Sequence, residues 1–186
     1  EITLSNLMTD GEVDERDFLD RADILCSLGY TVMISNYRKY YKLSEYLSRY
    51  TNARMGLIIG VDNLVEMFDE KYYRNLNGGI MEAFGIIVTR DIKIYLYPYQ
   101  ADSSKELINS KNIPIHPRAK SIYEYLFNNK RIEDLNYNSK ILDIFSREVL
   151  KKIKSCEIGT WEHMVPDGVA NIIKDKSLFG MSGKIK

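Results

Sequence analysis

The sequence predicts an α/β fold built on a short parallel sheet, and three observations predict it. Met55-Gly56-Leu57-Ile58-Ile59-Gly60 is an apolar run without alternation, the pattern of a parallel strand covered on both faces. Ile92-Lys93-Ile94-Tyr95-Leu96-Tyr97 alternates aliphatic residues with Lys or Tyr, the mark of a strand with one less buried face. Between them, Ile80, Ala83, Phe84, Ile87 and Val88 recur at helical spacing. Strand, helix and strand in this order give parallel strands joined by a right-handed crossover.

The other elements follow along the chain. Residues 1–13 have no period and contain the turn signal Thr9-Asp10-Gly11, so they read as a tail or linker. Asp14 then caps a helix running to about Leu28, with Phe18, Ala22 and Leu25 on one face and Gly29 as its stop. Tyr30-Thr31-Val32-Met33-Ile34 is short and apolar, which favours a strand. Leu43, Tyr46, Leu47 and Tyr50 form a helical face in a segment starting near Tyr37. Asp62 is placed to cap a short helix through Phe68. Together these make a β-α-β-α-β unit over about residues 30–99, half of a doubly wound, Rossmann-like sheet.

Pro98 ends the third strand, and residues 98–115 read as loop. The remainder, about residues 116–175, reads as mostly helical. A helix spans 117–129, a second carries Leu142, Phe145, Val149 and Ile153 with a break near Ser146, and Pro166 opens a last one. The expected organisation is a single domain over 14–179 and a flexible end over 180–186. The abrupt start at Glu1 and the glycine-rich, basic end from Gly180 suggest a domain excised from a larger protein.

Composition excludes several functions. Lys plus Arg equals Asp plus Glu at 26 each, which leaves no electrostatic footprint for nucleic acid. No apolar run approaches the roughly 20 residues that cross a bilayer, and no signal peptide opens the chain. Two scattered cysteines, Cys26 and Cys156, fit a reducing, cytoplasmic compartment. With only two histidines, His116 and His163, no metal site is expected. Fourteen tyrosines against six Phe and one Trp suit partly buried surfaces and clefts, although an AT-rich genome would produce the same bias.

In open α/β sheets, ligands bind beyond the carboxyl ends of the strands. That rule selects Ser35, Asn36 and Tyr37 after the first predicted strand, Gly60, Asp62 and Asn63 after the second, and Tyr97 after the third. Asn36 and Asp62 are equally good plain helix caps. Gly78 and Gly79 before a helix form a candidate anion site, since glycine lets a phosphate approach free N–H groups. A loop needing positive φ explains them equally well. Lys71 and Arg74 are candidate phosphate partners, and Tyr72 or Tyr73 candidate stacking surfaces, unless they form a solvated helix end. Glu82, if buried, would be a candidate acid or base; otherwise it complements the helix dipole. His116, before Pro117 and Arg118, is a weaker candidate of the same kind. GxGxxG, GxxxxGK[ST], GxSxG, HExxH and HxGH are all absent, so catalytic residues and any cofactor stay unassigned.

Several segments carry a family resemblance. They are Arg21-Ala22-Asp23-Ile24-Leu25, Ile34-Ser35-Asn36-Tyr37, Phe68-Asp69-Glu70-Lys71-Tyr72-Tyr73, Gly78-Gly79-Ile80-Met81-Glu82-Ala83-Phe84-Gly85 and Tyr95-Leu96-Tyr97-Pro98. The pattern resembles the C-terminal part of large bacterial proteins labelled nicotinate-nucleotide adenylyltransferase-like, also labelled TonB-dependent receptor, and extends to Leu178-Phe179-Gly180. It implies a cytoplasmic α/β domain with a nucleotide connection. It transfers no catalytic residue, because the HxGH phosphate site is missing. The receptor label implies a β-barrel, whose alternating, aromatic-girdled strands this sequence lacks.

The leading expectation is therefore a domain binding a nucleotide or phosphorylated metabolite at the strand ends. It would be a nucleotide-related transferase domain whose cleft a neighbouring domain completes. The alternative is a non-catalytic protein-interaction or homodimerisation module, because a half-sized sheet leaves an edge or face to cover. Nucleic-acid binding through Lys151, Lys152 and Lys154 is the weakest of the three.

Overall fold

A computed structural model of the chain describes residues 1–3, 8–9, 12–13, 15–100 and 106–181. In chain order its elements are β1 (Ile2–Thr3), β2 (Met8–Thr9), β3 (Glu12–Val13), α1 (Glu15–Ser27), β4 (Ile34–Ser35), α2 (Tyr40–Leu47), β5 (Met55–Gly60), α3 (Val61–Met67), α4 (Gly79–Thr89) and β6 (Ile92–Tyr97). There follow β7 (Tyr99–Gln100), β8 (Leu107–Ile108), α5 (Lys120–Asn128), β9 (Ile132–Asp134), α6 (Ser146–Lys154) and α7 (Val169–Lys176). The chain divides into two compact units, residues 1–38 with 144–186, and residues 39–143. The sequence suggests a single domain over 14–179; the first unit is built from two stretches of chain that flank the second.

The 39–143 unit is an α/β fold with an all-parallel sheet in the order β5-β6-β9. β5 and β6 lie where the apolar runs predict them. Their register pairs Met55 with Ile92 and Gly60 with Tyr97. The third strand is not the expected 30–34 segment but Ile132–Asp134, whose Ile132 pairs with Ile94. Tyr30 to Met33 form no strand, and Ile34–Ser35 pairs with Ile2–Thr3 in the other unit.

This strand order has a geometric consequence. Both crossovers step the same way across the sheet, and right-handed crossovers in one direction lay their helices on one face. Burial agrees. Ile59, Ile92, Ile94, Leu96 and Ile132 are buried with Leu64 and Met67 of α3, Ala83, Phe84 and Ile87 of α4, and Leu126 of α5. Phe68 stacks on Phe84 with ring centroids 4.6 Å apart and meets Tyr123 edge-on at 5.3 Å. The opposite face carries Gly56, Ile58, Lys93, Tyr95 and Glu133, none of them buried. β5 is therefore covered on one face only, not on both, and Ile58 is 71% exposed. The half-sized sheet is wound on one side where a doubly wound sheet has helices on two.

The other unit has a separate core of Ile24, Val149, Ile153, Trp161, Val169, Ile173, Leu178 and Met181. The amino-terminal segment, read as a tail, contributes β1 and the antiparallel pair β2–β3. The turn signal at Asp10-Gly11 and the cap at Asp14 lie outside the described residues. Gly29 ends the first helical segment at φ +86°, a left-handed conformation that glycine adopts without strain. α7 begins at Val169 after Gly168, so Pro166 lies before the helix. At the other end, Met181 is buried in the core, inside the segment read as a flexible end; residues 182–186 lie outside the described ones.

Candidate functional site

The expected ligand loops fall in two different units. Ser35, Asn36 and Tyr37 belong to the unit of residues 1–38, while the loops after Gly60 and Tyr97 belong to that of residues 39–143. Ser35 is also engaged locally. Its hydroxyl donates to the Glu1 carboxylate and accepts the Tyr37 N–H at 3.2 Å. Asn36 caps no helix, since α2 starts four residues later from Lys39.

Gly60 and Tyr97 are register partners at the carboxyl end of the sheet, so two of the three selected loops lie side by side. Gly60, not Asp62, is the N-cap of α3; Asp62 sits in its first turn and, like Asn63, is exposed. The third strand end here is Asp134. Its carboxylate accepts the Ser110 N–H at 2.9 Å and the Ser110 hydroxyl at 2.6 Å. The Tyr123 hydroxyl donates to the Ser110 carbonyl, and burial pushes that phenol above its usual range. Both Asp134 oxygens are thus spent on ordering the loop between β8 and α5. Sequence reasoning missed this network because Ile132-Glu133-Asp134 is too short and too charged to register as a strand.

The crossover runs α4 antiparallel to the strands, which puts its first turn at the level of their carboxyl ends. Gly79 stands at φ +56°, as a turn glycine does. The Gly78 N–H donates to the Glu82 carboxylate at 2.9 Å. Glu82 is exposed, so its role is to cap the helix rather than to act as a buried acid or base. The donor a phosphate would use is already taken by a carboxylate of the same helix.

Lys71 is similarly occupied. Its N–H and its ammonium both bind Asp69, the latter at 2.6 Å, and the pairing raises the Lys71 pKa and lowers that of Asp69. Tyr72 lies under the Lys39 ammonium, 3.5 Å from its ring centroid. Tyr73 is buried and donates its hydroxyl to the Met67 carbonyl at 2.6 Å, so neither ring is a bare stacking platform. His116 accepts the Arg118 N–H on Nδ1 and caps the short turn before α5.

Among the described residues, no group of three or more His, Cys, Asp or Glu is placed to hold a metal ion. Among the same residues, no helix is long and apolar enough to cross a membrane. The feature that stands out among the described residues is the outer edge of β5, with Ile58 exposed on its open face. β5 contains no charge and no proline, and no other described strand pairs with that edge. Compared with family models, curated proteins and solved structures, the chain matches none.

Proposed function

We propose that this chain acts as a non-catalytic protein-binding module that takes an extended segment along the outer edge of β5. The observation that carries this is Ile58, 71% exposed in the middle of a six-residue, uncharged edge strand. Edge strands are ordinarily blunted by charge, proline, brevity or cover, because their free N–H and C=O groups template pairing. The far edge is blunted in this way: β9 has three residues, and two of them are Glu133 and Asp134. Strand addition at β5 would supply main-chain hydrogen bonds, and Ile58 an apolar contact on the open face.

A second reading is a nucleotide or phosphorylated metabolite at the strand ends, as the resemblance to adenylyltransferase-labelled proteins implies. The pairing of Gly60 with Tyr97 favours it. Three observations count against it. The one-sided winding leaves no point where the strand order reverses, which is where such clefts open. Asp62 and Asp134 bring negative charge to that end. Lys71 and the Gly78 N–H are already bound to carboxylates.

One pair of measurements separates the two. Extended apolar peptides should slow amide exchange across residues 55–60, and Ile58→Lys should remove the effect. Nucleotides and sugar phosphates, with or without magnesium, should leave the thermal midpoint unchanged. A saturable rise with one of them, lost in Asp62→Ala and accompanied by no peptide protection, overturns the module reading.

A further inference from the structure

We infer that Asn77-Gly78 is a site of spontaneous backbone self-modification, and that the Glu82 carboxylate sets its rate by holding the hydrogen of the attacking nitrogen. The inference is independent of the edge-docking reading.

The chain has one Asn-Gly pair, at 77–78. Both residues are exposed and lie in the turn that leads into α4. Among the described residues, none holds the Asn77 side chain by a hydrogen bond or ion pair. Glycine also puts no side chain beside its nitrogen. The two Asn-Ser pairs, the next least hindered, are arranged differently. Asn109 and Asn138 each accept a main-chain N–H on the side-chain oxygen, at 2.9 Å from the Lys111 nitrogen and 3.0 Å from that of Lys140. Such Asx turns fix the side-chain amide by its oxygen.

In the reaction the Gly78 nitrogen loses its proton and attacks Asn77 Cγ. A bond forms between the two, the Cγ–Nδ2 bond breaks, and Nδ2 departs as ammonia with that proton. Water, the one other reactant, then opens the cyclic imide on either side. Opening at Cγ gives aspartate; opening at the main-chain carbonyl carbon gives isoaspartate.

Glu82 stands at the first step. The Gly78 N–H donates to Glu82 Oε2 at 2.9 Å, and the Gly78 carbonyl accepts the Glu82 N–H at 3.3 Å. Removing the Gly78 proton breaks a charge-assisted hydrogen bond and leaves a nitrogen anion against a carboxylate. The same contact explains the glycine. Gly78 has φ −90°, which other residues adopt, but a Cβ there would meet Glu82 Cβ at 2.9 Å. Glycine at 78 lets Glu82 close on it, and the closed carboxylate restrains the nitrogen that the glycine leaves unhindered. Isoaspartate would add a carbon to the main chain inside the turn that the Gly79 N–H closes on the Leu76 carbonyl at 3.1 Å. That displaces the start of α4, whose Ile80, Ala83, Phe84 and Ile87 belong to the core.

The test follows Asn77 by peptide mapping and mass spectrometry while the folded chain stands in warm, mildly alkaline buffer. Aspartate and isoaspartate should accumulate at 77 ahead of every other asparagine. Glu82→Ala should speed this by about tenfold or more, the factor that a hydrogen bond to a charged group is worth. Glu82→Gln, which keeps an acceptor but no charge, should fall between the two. Amide exchange at Gly78 should rise with the deamidation rate while that of Phe84 to Val88 stays constant, which separates loss of the clasp from fraying of the helix. In denaturant all three chains should modify Asn77 equally fast. Equal rates for folded wild type and Glu82→Ala overturn the inference, and so does a wild-type chain that loses another asparagine first. A faster Glu82→Ala whose Phe84 to Val88 amides exchange faster in step also overturns it, because the helix rather than the carboxylate would then set the rate.

Discussion

Asp91, the residue before the central strand, accepts a hydrogen bond from Arg54 Nε at 2.9 Å, and Arg54 is the residue before β5. Its second oxygen is bound by Arg131, the residue before β9. One carboxylate thus ties the amino ends of all three parallel strands. It sits on a left-handed residue, φ +50°, which Asp and Asn tolerate better than most side chains.

This clamp gives a pH signature. Arg54 and then Arg131 hold the Asp91 carboxyl below its ordinary range. A depressed folded pKa contributes stability that is present above the unfolded value, about 3.9, and lost as pH falls through the folded one. Asp91→Asn keeps the backbone and removes the charge. Its thermal midpoint should lie below wild type at pH 7, and the gap should close in acid, below about pH 4. A gap independent of pH would show that the charge does not matter.

Glu162 should titrate further down still. Lys174 at 2.6 Å, and then the Gly159 and Trp161 N–H groups, draw its pKa down to about 2. The stability it supplies is present above about pH 4.5 and disappears as pH falls toward 2. Glu162→Gln should cost on the order of 1–3 kcal/mol at pH 7 and little at pH 2, by denaturant unfolding. A carboxyl midpoint near 4 by NMR would contradict this.

Gly56 is required by Tyr95. A Cβ at Gly56 would meet Tyr95 Cε2 at 2.9 Å and Cδ2 at 3.2 Å. Gly56→Ala should destabilise by about 1 kcal/mol, because the ring must swing off the open face. In a Tyr95→Ala background the same change should cost close to nothing. A double-mutant cycle reads the difference, and additivity would refute the contact.

Glu82→Ala should cost about 0.5–1 kcal/mol by releasing the Gly78 N–H at the start of α4. If the Gly78-Gly79 turn has any latent affinity for phosphate, this variant should reveal it as a thermal shift absent from wild type.

Part of this structure was legible in the sequence because part of it is encoded locally. β5, β6 and α4 are long enough for side-chain period alone to define them. β9 is not: Ile132-Glu133-Asp134 becomes a strand only because β6 offers it a paired edge. Ile34–Ser35 carries a real strand signal, but nothing local says that its partner is Ile2–Thr3 rather than β5. That single pairing puts Ser35, Asn36 and Tyr37 in a different unit from β5 and β6. The caps behaved likewise. Glu82 read as a candidate acid or base and Lys71 as a phosphate partner, and only side-chain geometry shows them bound to Gly78 and Asp69. The clasp of Glu162 on Lys174 has no sequence period at all.

The unlike margins of the sheet bear on what happens at high concentration. If both margins were adhesive, each copy could recruit another on either side, and growth would have no natural end. Here the β5 margin is six residues long and uncharged, while β9 is three residues long, with Glu133 paired to Lys93 and Asp134 bound to Ser110. A segment docked on β5 uses up that margin and leaves only the short β9 border outside. Docking by this route is self-terminating, so crowding should not drive growth into fibres.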